Sequence, residues 1–206
     1  MLHLSTIDES VHHILLSLME KDYLRDFALV GGTSLALRYG HRNSIDIDLF
    51  SPIKFNAEFL SMTLEIDYKN FDFSGSNKYM MFCYINQVKT DFVFHPYQLL
   101  KPIDVIDGIR MFSIEDVTAM KLQAVTQRGS KKDFYDIWQL LQIMTAKQLI
   151  DIYAAKYTES QVWMLLNSLI YFADAEKQAQ PKIFINKLSW DTVKKTIVKA
   201  FKNITL

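Results

Sequence analysis

Asp46 and Asp48 stand one residue apart in Ile45-Asp46-Ile47-Asp48-Leu49-Phe50. Carboxylates among apolar neighbours are costly to desolvate unless a counter-charge accompanies them. On an extended chain residues i and i+2 share a face. The spacing therefore predicts two carboxylates side by side, with Ile45, Ile47 and Leu49 turned to a core. Two such groups repel, and one stays protonated unless a cation lies between them. Magnesium meets that need, because it takes one or two protein carboxylates together with substrate phosphates and water. Upstream, Gly31-Gly32-Thr33-Ser34 joins an apolar run to a helix-forming one. Glycine lets backbone approach a phosphate, and a helix N-terminus offers free N–H groups. A phosphate cradle followed by a metal-binding pair suits transfer of part of a nucleoside triphosphate. Asp91 is the one acid in "QVKTDFVFHP" (87–96). An adjacent strand would bring it beside Asp46 and Asp48, where three acids can hold the metals of an in-line displacement. Asp91 could also be the base that takes the proton of the incoming hydroxyl.

Further along, Lys121 and Arg128 lie seven apart and share a helix face. That face could meet a triphosphate, Lys as a point charge and Arg as a two-pronged clamp. Asp133 and Asp136 fall in the first turn of the following helix. They could hold Lys121 or Arg128 in place or help activate the acceptor, while acids there also favour the helix dipole with no catalysis at all. Asp136 reads as structural. Arg42 is divided between a substrate phosphate and a local ion pair with the acids. His12, His13, His41 and His95 lack ligand spacing to any cysteine and read as structural.

The elements that must position these residues follow from periodicity. Ile7, Val11, Ile14, Leu15, Leu18 and Met19 recur at helical spacing over about 7–22. Residues 27–30 form a short strand, Thr33 to Tyr39 a helix stopped by Gly40, and Ser44 to Phe50 a strand. The aromatic and β-branched stretch 64–95, with turn signals at "SGSN" (74–77) and "NQ" (86–87), predicts two or three antiparallel strands. From Ser113 the texture is helical: about 114–128, 131–144, 146–156, 159–174 and 189–202. Ser113 and Ser130 each begin a capping-box pattern. "EKQAQPK" (176–182) is the expected flexible loop. Phe134, Ile137, Trp138 and Leu141 read as core between helices. The last helix sets Trp190, Val193, Ile197, Val198 and Phe201 against Lys187, Lys194, Lys195, Lys199 and Lys202, a docking helix with a solvated lysine face or a basic flank that attracts RNA or an acidic partner. The fold class is α+β: a mixed β-sheet core with flanking helices over 1–113, then a C-terminal helical bundle over 114–206 that closes the cleft.

"GGTSLALRYGHRNSIDIDLF" resembles the signature of the AbiEii/AbiGii toxin family within the DNA polymerase β-type nucleotidyltransferases, with Thr33 where the wider pattern has Ser. "KLQAVTQRGSKKDFYDIWQLL" (121–141) resembles the family's downstream segment. The resemblance covers most of 26–141. It implies a magnesium-dependent transfer from a nucleoside triphosphate, with Asp46, Asp48 and Asp91 at the metal and Gly31, Gly32, Thr33, Ser34, Arg42 and Arg128 toward the nucleotide. Lys121 and Asp133 are implied as catalytic from across the cleft. An RNA acceptor and a cognate antitoxin protein are implied as partners. The rivals are a small-molecule nucleotidyltransferase of the antibiotic-modifying sort and a non-catalytic nucleotide- or partner-binding module.

Composition bounds these readings. The 206 residues are half hydrophobic and carry 23 basic and 23 acidic side chains. A sizeable core is available, and no global charge draws the chain to nucleic acid or membrane. Cys83 is the single cysteine, so no intrachain disulfide forms. No stretch of about 18 apolar residues spans a membrane, and the N-terminus does not read as a signal peptide. A cytoplasmic location is expected.

Overall fold

The computed structural model describes residues 1–158, 161–202 and 204. Helix α1 (Glu9–Met19) buries Val11, Ile14, Leu15, Leu18 and Met19, the stripe its periodicity predicts. Strand β1 (Ala28–Leu29) runs into α2 (Gly31–Tyr39). This helix begins two residues earlier than expected and ends at left-handed Gly40, the position where a Cβ is most costly. Strand β2 (Ile47–Ser51) follows. Asp46 thus lies just outside the strand, and Ile45, expected in the core, is 58% exposed; only Ile47 and Leu49 alternate inward. Helix α3 (Ala57–Asp67) is capped by Asn56. Strands β3 (Phe71–Asn77), β4 (Met80–Ile85) and β5 (Val88–Phe94) form an antiparallel meander. "SGSN" lies inside β3, where the register shifts between Phe73 and Gly75. The β4–β5 turn is at Asn86-Gln87, both with positive φ, the geometry a two-residue hairpin demands. A second hairpin, β6 (Asp104–Ile106) and β7 (Ile109–Met111), precedes the helices.

These are α4 (Ile114–Gln127), α5 (Lys131–Leu140), α6 (Ala146–Lys156), α7 (Val162–Leu169), α8 (Ala173–Glu176) and α9 (Trp190–Phe201). The helix expected over 159–174 is two: α7, then the short α8. Residues 159 and 160 of that expectation lie outside the described residues. The 176–182 loop is pinned rather than loose. Gln178 accepts from the Lys131 N–H and Lys131 Nζ, and the Asn43 N–H donates to the Lys182 carbonyl.

One seven-stranded sheet has the order β3-β4-β5-β2-β1-β7-β6. The pairs β2–β5 and β1–β7 are parallel and the rest antiparallel. Helices α1 and α3 cover the back, where Leu15, Leu64, Met81, Cys83, Ile47, Leu49 and Phe92 form one core. On the front, Ala28, Val30 and Phe112 pack with Val117, Phe134, Tyr135, Tyr153 and Ile197 of the later helices. Asp48, between Ile47 and Leu49, must therefore face front. Phe134 and Ile137 are fully buried in that core, and Trp138 and Leu141 pack against it. The last helix buries Val193, Ile197 and Phe201, so its apolar side is a docking face.

His95, just past β5, sits among the rings of Phe50, Tyr97 and Phe112, with Nε2 buried and unpartnered. Burial, reinforced by Lys156, pushes its pKa down to about 4. The unfolded imidazole binds its proton near pH 6.5. Between those values the unfolded chain holds more protons, so stability falls as pH drops through the window. Denaturant unfolding should show a loss of about 2 kcal/mol from pH 7 to pH 5 assignable to this ring. His95→Phe, which keeps the ring contacts, should lack that component; an unchanged pH slope in the variant would refute the account.

Candidate active site

The parallel register of β2 and β5 sets Asp48 directly opposite Asp91. Burial first, then the Asp91 and Asp46 charges, raise the Asp48 carboxyl above the usual carboxylate range. Asp91 Oδ2 accepts from Lys89 Nζ at 2.6 Å, while its Oδ1 is buried without a partner. Asp46 Oδ2 lies 3.5 Å from Lys132 Nζ. Its carbonyl accepts a short hydrogen bond from Thr33 Oγ1, which also lies 2.8 Å from Ser44 Oγ. Thr33 therefore orients the Asp46 backbone. Ser34 is turned away from the cleft, its Oγ 3.8 Å from Met111 Sδ.

The glycines answer to side chains as well as to any phosphate. Gly31 has φ +69°, and a Cβ there would stand 2.6 Å from Asp48 Oδ2. A Cβ on Gly32 would collide with the Arg42 guanidinium. The N-terminus of α2 can approach the acids only because both positions lack side chains.

Beneath this lies a buried ionic network. Arg42 grips Asp136 with Nε and Nη2, each at 2.7 Å, and His41 Nε2 lies 2.7 Å from the same carboxylate. Lys121 Nζ reaches Asp133 at 2.9 Å and Asp136 at 2.8 Å. Arg128 holds Asp133 through Nε and Nη2, and Ser130 closes a capping box on it. These cations hold both carboxyls below their ordinary range although burial opposes it. Of the two readings open for Arg42, the ion pair is the contact present, and its partner is Asp136. Asp133 clamps Lys121 and Arg128, and Asp136 clamps Lys121 and Arg42.

A cavity of about 130 Å³ is enclosed by Gly31, Gly32, Asp46, Asp48, Asp91 and the surrounding cations Arg42, Lys89, Lys121, Arg128 and Lys132. It shares Gly31, Asp48, Lys121 and Arg128 with a groove of about 350 Å³ walled by Phe50, Met80, Phe94, Tyr97 and Met120. Asp48 and the open Oδ1 of Asp91 are hard oxygen donors that fit a divalent cation. Asp46 leans toward Lys132 instead, and among the described residues no three His, Cys, Asp or Glu side chains converge on one metal position.

The description "Nucleotidyl transferase AbiEii toxin, Type IV TA system" applies to the family model that matches residues 13–203. The chain belongs to this family. An uncharacterized protein of Aquifex aeolicus (strain VF5) is 32% identical over 163 residues, 77% of this chain and 79% of that one. The fold is similar to a crystal structure from H. pylori proposed to be a nucleotidyltransferase (TM-score 0.58, 17% identity, 95% of this chain and 94% of that one). It is also similar to MenT4, a nucleotidyltransferase toxin of Mycobacterium tuberculosis H37Rv (TM-score 0.57, 14% identity, 95% and 82%). Nucleotidyl transfer is accordingly the activity of this AbiEii-family chain, and the acids, the glycine turn and the cations across the cleft are its candidate machinery.

Sequence reasoning passed over Lys89 and Lys132, the two lysines nearest the acids. A signal existed for Lys89: it lies two residues before Asp91 on a strand and so shares its face. Lys132 meets Asp46 only through the packing of α5, which no local pattern encodes.

Charge placement yields opposite expectations for two acids. Asp48→Asn removes repulsion and should raise stability by about 1 kcal/mol, about 2–4 °C for a chain of this size. Asp136→Ala strips Arg42 and Lys121 of a buried partner and should cost about 3–5 kcal/mol. Thermal melts of both check this; a destabilised Asp48→Asn protein would mean that its charge is already compensated.

Proposed function

We propose that this AbiEii-family enzyme is magnesium-dependent and transfers a nucleoside monophosphate from a nucleoside triphosphate to a hydroxyl of RNA, as a toxin restrained by a cognate antitoxin. The observation that carries the reading is the pairing of Asp48 with Asp91 across β2 and β5, with Asp91 Oδ1 free of any protein partner. Asp48, Asp91 and, after a change of partner, Asp46 would hold the cation. What bound magnesium supplies is neutralisation of charge on the phosphates of the substrate. The remaining work falls to the chain. The first-turn N–H groups of α2 and the outward side of Arg128, whose side chain is 57% exposed, bind phosphate oxygens. Lys121 supplies a fixed positive potential from below. Asp91 accepts the proton of the acceptor hydroxyl at Oδ2, once Lys89 releases that oxygen, as the hydroxyl oxygen bonds to the α-phosphorus and the bond to pyrophosphate breaks. Asp133 acts through Lys121 and Arg128 as a positioning residue. The cleft's mix of acids and five lysine and arginine side chains favours a polyanionic acceptor over the cationic small molecules that an acidic cleft would select.

The test is incubation of the purified chain with each labelled nucleoside triphosphate, magnesium and total RNA. Label should enter RNA, and chelation of the cation or Asp48→Asn should abolish it, a loss of about 10³-fold or more. Induced expression of the chain alone should arrest bacterial growth, and Asp48→Ala should relieve it. Labelling only of small molecules would overturn the RNA reading, and arrest that persists in Asp48→Ala would overturn the catalytic one.

A further inference from the structure

The front face of the sheet is divided. Helices α4–α9 cover its β1 side, whereas α1 and α3 hold β3–β5 from behind. Front-facing residues of β4 and β5 are fixed by register: Phe82 stands opposite Asp91, and Tyr84 opposite Lys89. Their neighbours Met81, Cys83, Ile85 and Phe92 are buried behind. Tyr84 is 40% exposed, and Phe82 is partly so. The same face therefore carries two aromatic rings, one lysine and the acid with the unpartnered Oδ1, in adjacent register positions.

This surface leads away from the nucleotide side. A groove of about 630 Å³ runs from Asp46 and Lys89 along Tyr84, Asn86 and Gln87, with Asp8 and Val11 at the start of α1 as its other wall; Phe82 stands on the strand face outside it. This groove shares Asp46 and Lys89 with the central cavity and no residue with the groove beyond Gly31 and Arg128. In an in-line displacement the attacking and leaving oxygens lie on opposite sides of the phosphorus. With the triphosphate at the Gly31 and Arg128 end, the attacking hydroxyl must come from the Lys89 end.

We propose that this open face of β4 and β5 binds the acceptor as a single strand of RNA, its 3′-terminal hydroxyl delivered to Asp91. The assignment rests on the RNA reading above and adds the surface and the strandedness. Phe82 and Tyr84 are two residues apart, about 6.8 Å along the strand, so each ring offers a platform to a different base. Aromatic pairs on an exposed sheet face are a recurrent means of stacking unpaired bases. Such stacking needs no particular sequence, because every base has a flat face. Lys89, 43% exposed and now paired with Asp91, can transfer its charge to an acceptor phosphate and release the carboxylate for the reaction. Asn86 and Gln87, on a turn both hold at positive φ, add amide donors and acceptors at the rim. A duplex end would keep its bases paired and leave the two rings without partners.

The experiment measures binding and transfer separately. A short fluorescein-labelled RNA with a free 3′-hydroxyl, single-stranded or annealed to its complement, is titrated with the wild-type chain and with Phe82→Ala, Tyr84→Ala, Tyr84→Phe and Lys89→Ala. Affinity for the single strand should exceed that for the duplex. Each alanine at an aromatic position should weaken it on the order of tenfold, Tyr84→Phe should restore it, and Lys89→Ala should reduce the salt slope by about one. In the transfer assay the KM for RNA should rise in Tyr84→Ala while the KM for the nucleoside triphosphate stays put. Melting temperatures identify any variant that has simply lost its fold, and Tyr84, being exposed, should not. Wild-type binding that ignores strandedness, or alanine variants that bind as wild type does, would overturn the assignment. If the variants lose RNA binding as stated but wild type labels no RNA, the transfer reading falls and the surface stands. If wild type labels RNA while the variants match it, the surface falls alone.

Discussion

The structure turns on one buried carboxylate. Asp136 is closed to solvent and meets three groups from two other parts of the chain: His41 and Arg42 after α2, and Lys121 on α4. Burying such charges is not a gain over apolar packing, because desolvation consumes most of the attraction. What it provides is direction. A two-pronged Arg–carboxylate contact tolerates little change of angle, so Asp136 fixes α5 relative to the turn after α2. Lys121 adds α4, and Asp133 extends the network to Arg128 and to the cap of α5. Arg42 in turn lies against Gly32, so the network also sets where the N-terminus of α2 stands.

Two kinds of ion pair follow from this arrangement. The pairs that Arg42 and Lys121 make with Asp133 and Asp136 are dry and mutually reinforced, and none of these partners can leave without stranding a charge, whereas Arg128 reaches Asp133 from the rim with its side chain 57% exposed. The pairs at the acids differ: Lys89 and Lys132, on Asp91 and Asp46, are 43% and 47% exposed. Pairs that open to water contribute little and exchange easily. The permanent pairs hold the frame, and the exchangeable ones occupy positions that a substrate phosphate or a cation can take over.

Much of the frame could be read from residue order. The amphipathic stripe of α1, the stop at Gly40, the meander with its Asn86-Gln87 turn and the succession of helices from Ile114 all have local causes, and local causes leave local patterns. The α3 helix and the β6–β7 hairpin left weaker ones: α3 exposes Phe59, Met62 and Ile66, which blurs its polar face, and β6 and β7 have three residues each. Ile45 was misplaced because alternation was extended past the true start of β2. At the site, the approach of Asp91 to Asp48 depends on a parallel pairing of strands whose register no single strand specifies. The partner of Arg42 lay 94 residues away on another helix, and the inward turn of Ser34 depends on where Met111 packs. Residue types announced the chemistry, whereas long-range geometry decided which neighbour each residue serves.

The same geometry explains why the acids sit where they are least comfortable. Asp48 faces Asp91 across a strand pair, and Gly31 takes a left-handed backbone so that nothing displaces its carboxylate. A sequence selected for stability alone would place an apolar or amide side chain at 48 and a bulkier residue at 31. Local strain of this kind persists only where surrounding structure over-determines it. Here the surroundings are the back core under β2 and β5, the front core behind β1, and the Asp136 network that joins them. The cleft is thus left with carboxylate charge that its own scaffold does not neutralise fully, next to N–H donors and cations that have room for an anion. A ligand that brings both a cation and phosphates satisfies both sides at once, which is the electrostatic form of specificity for a nucleotide bound with its metal.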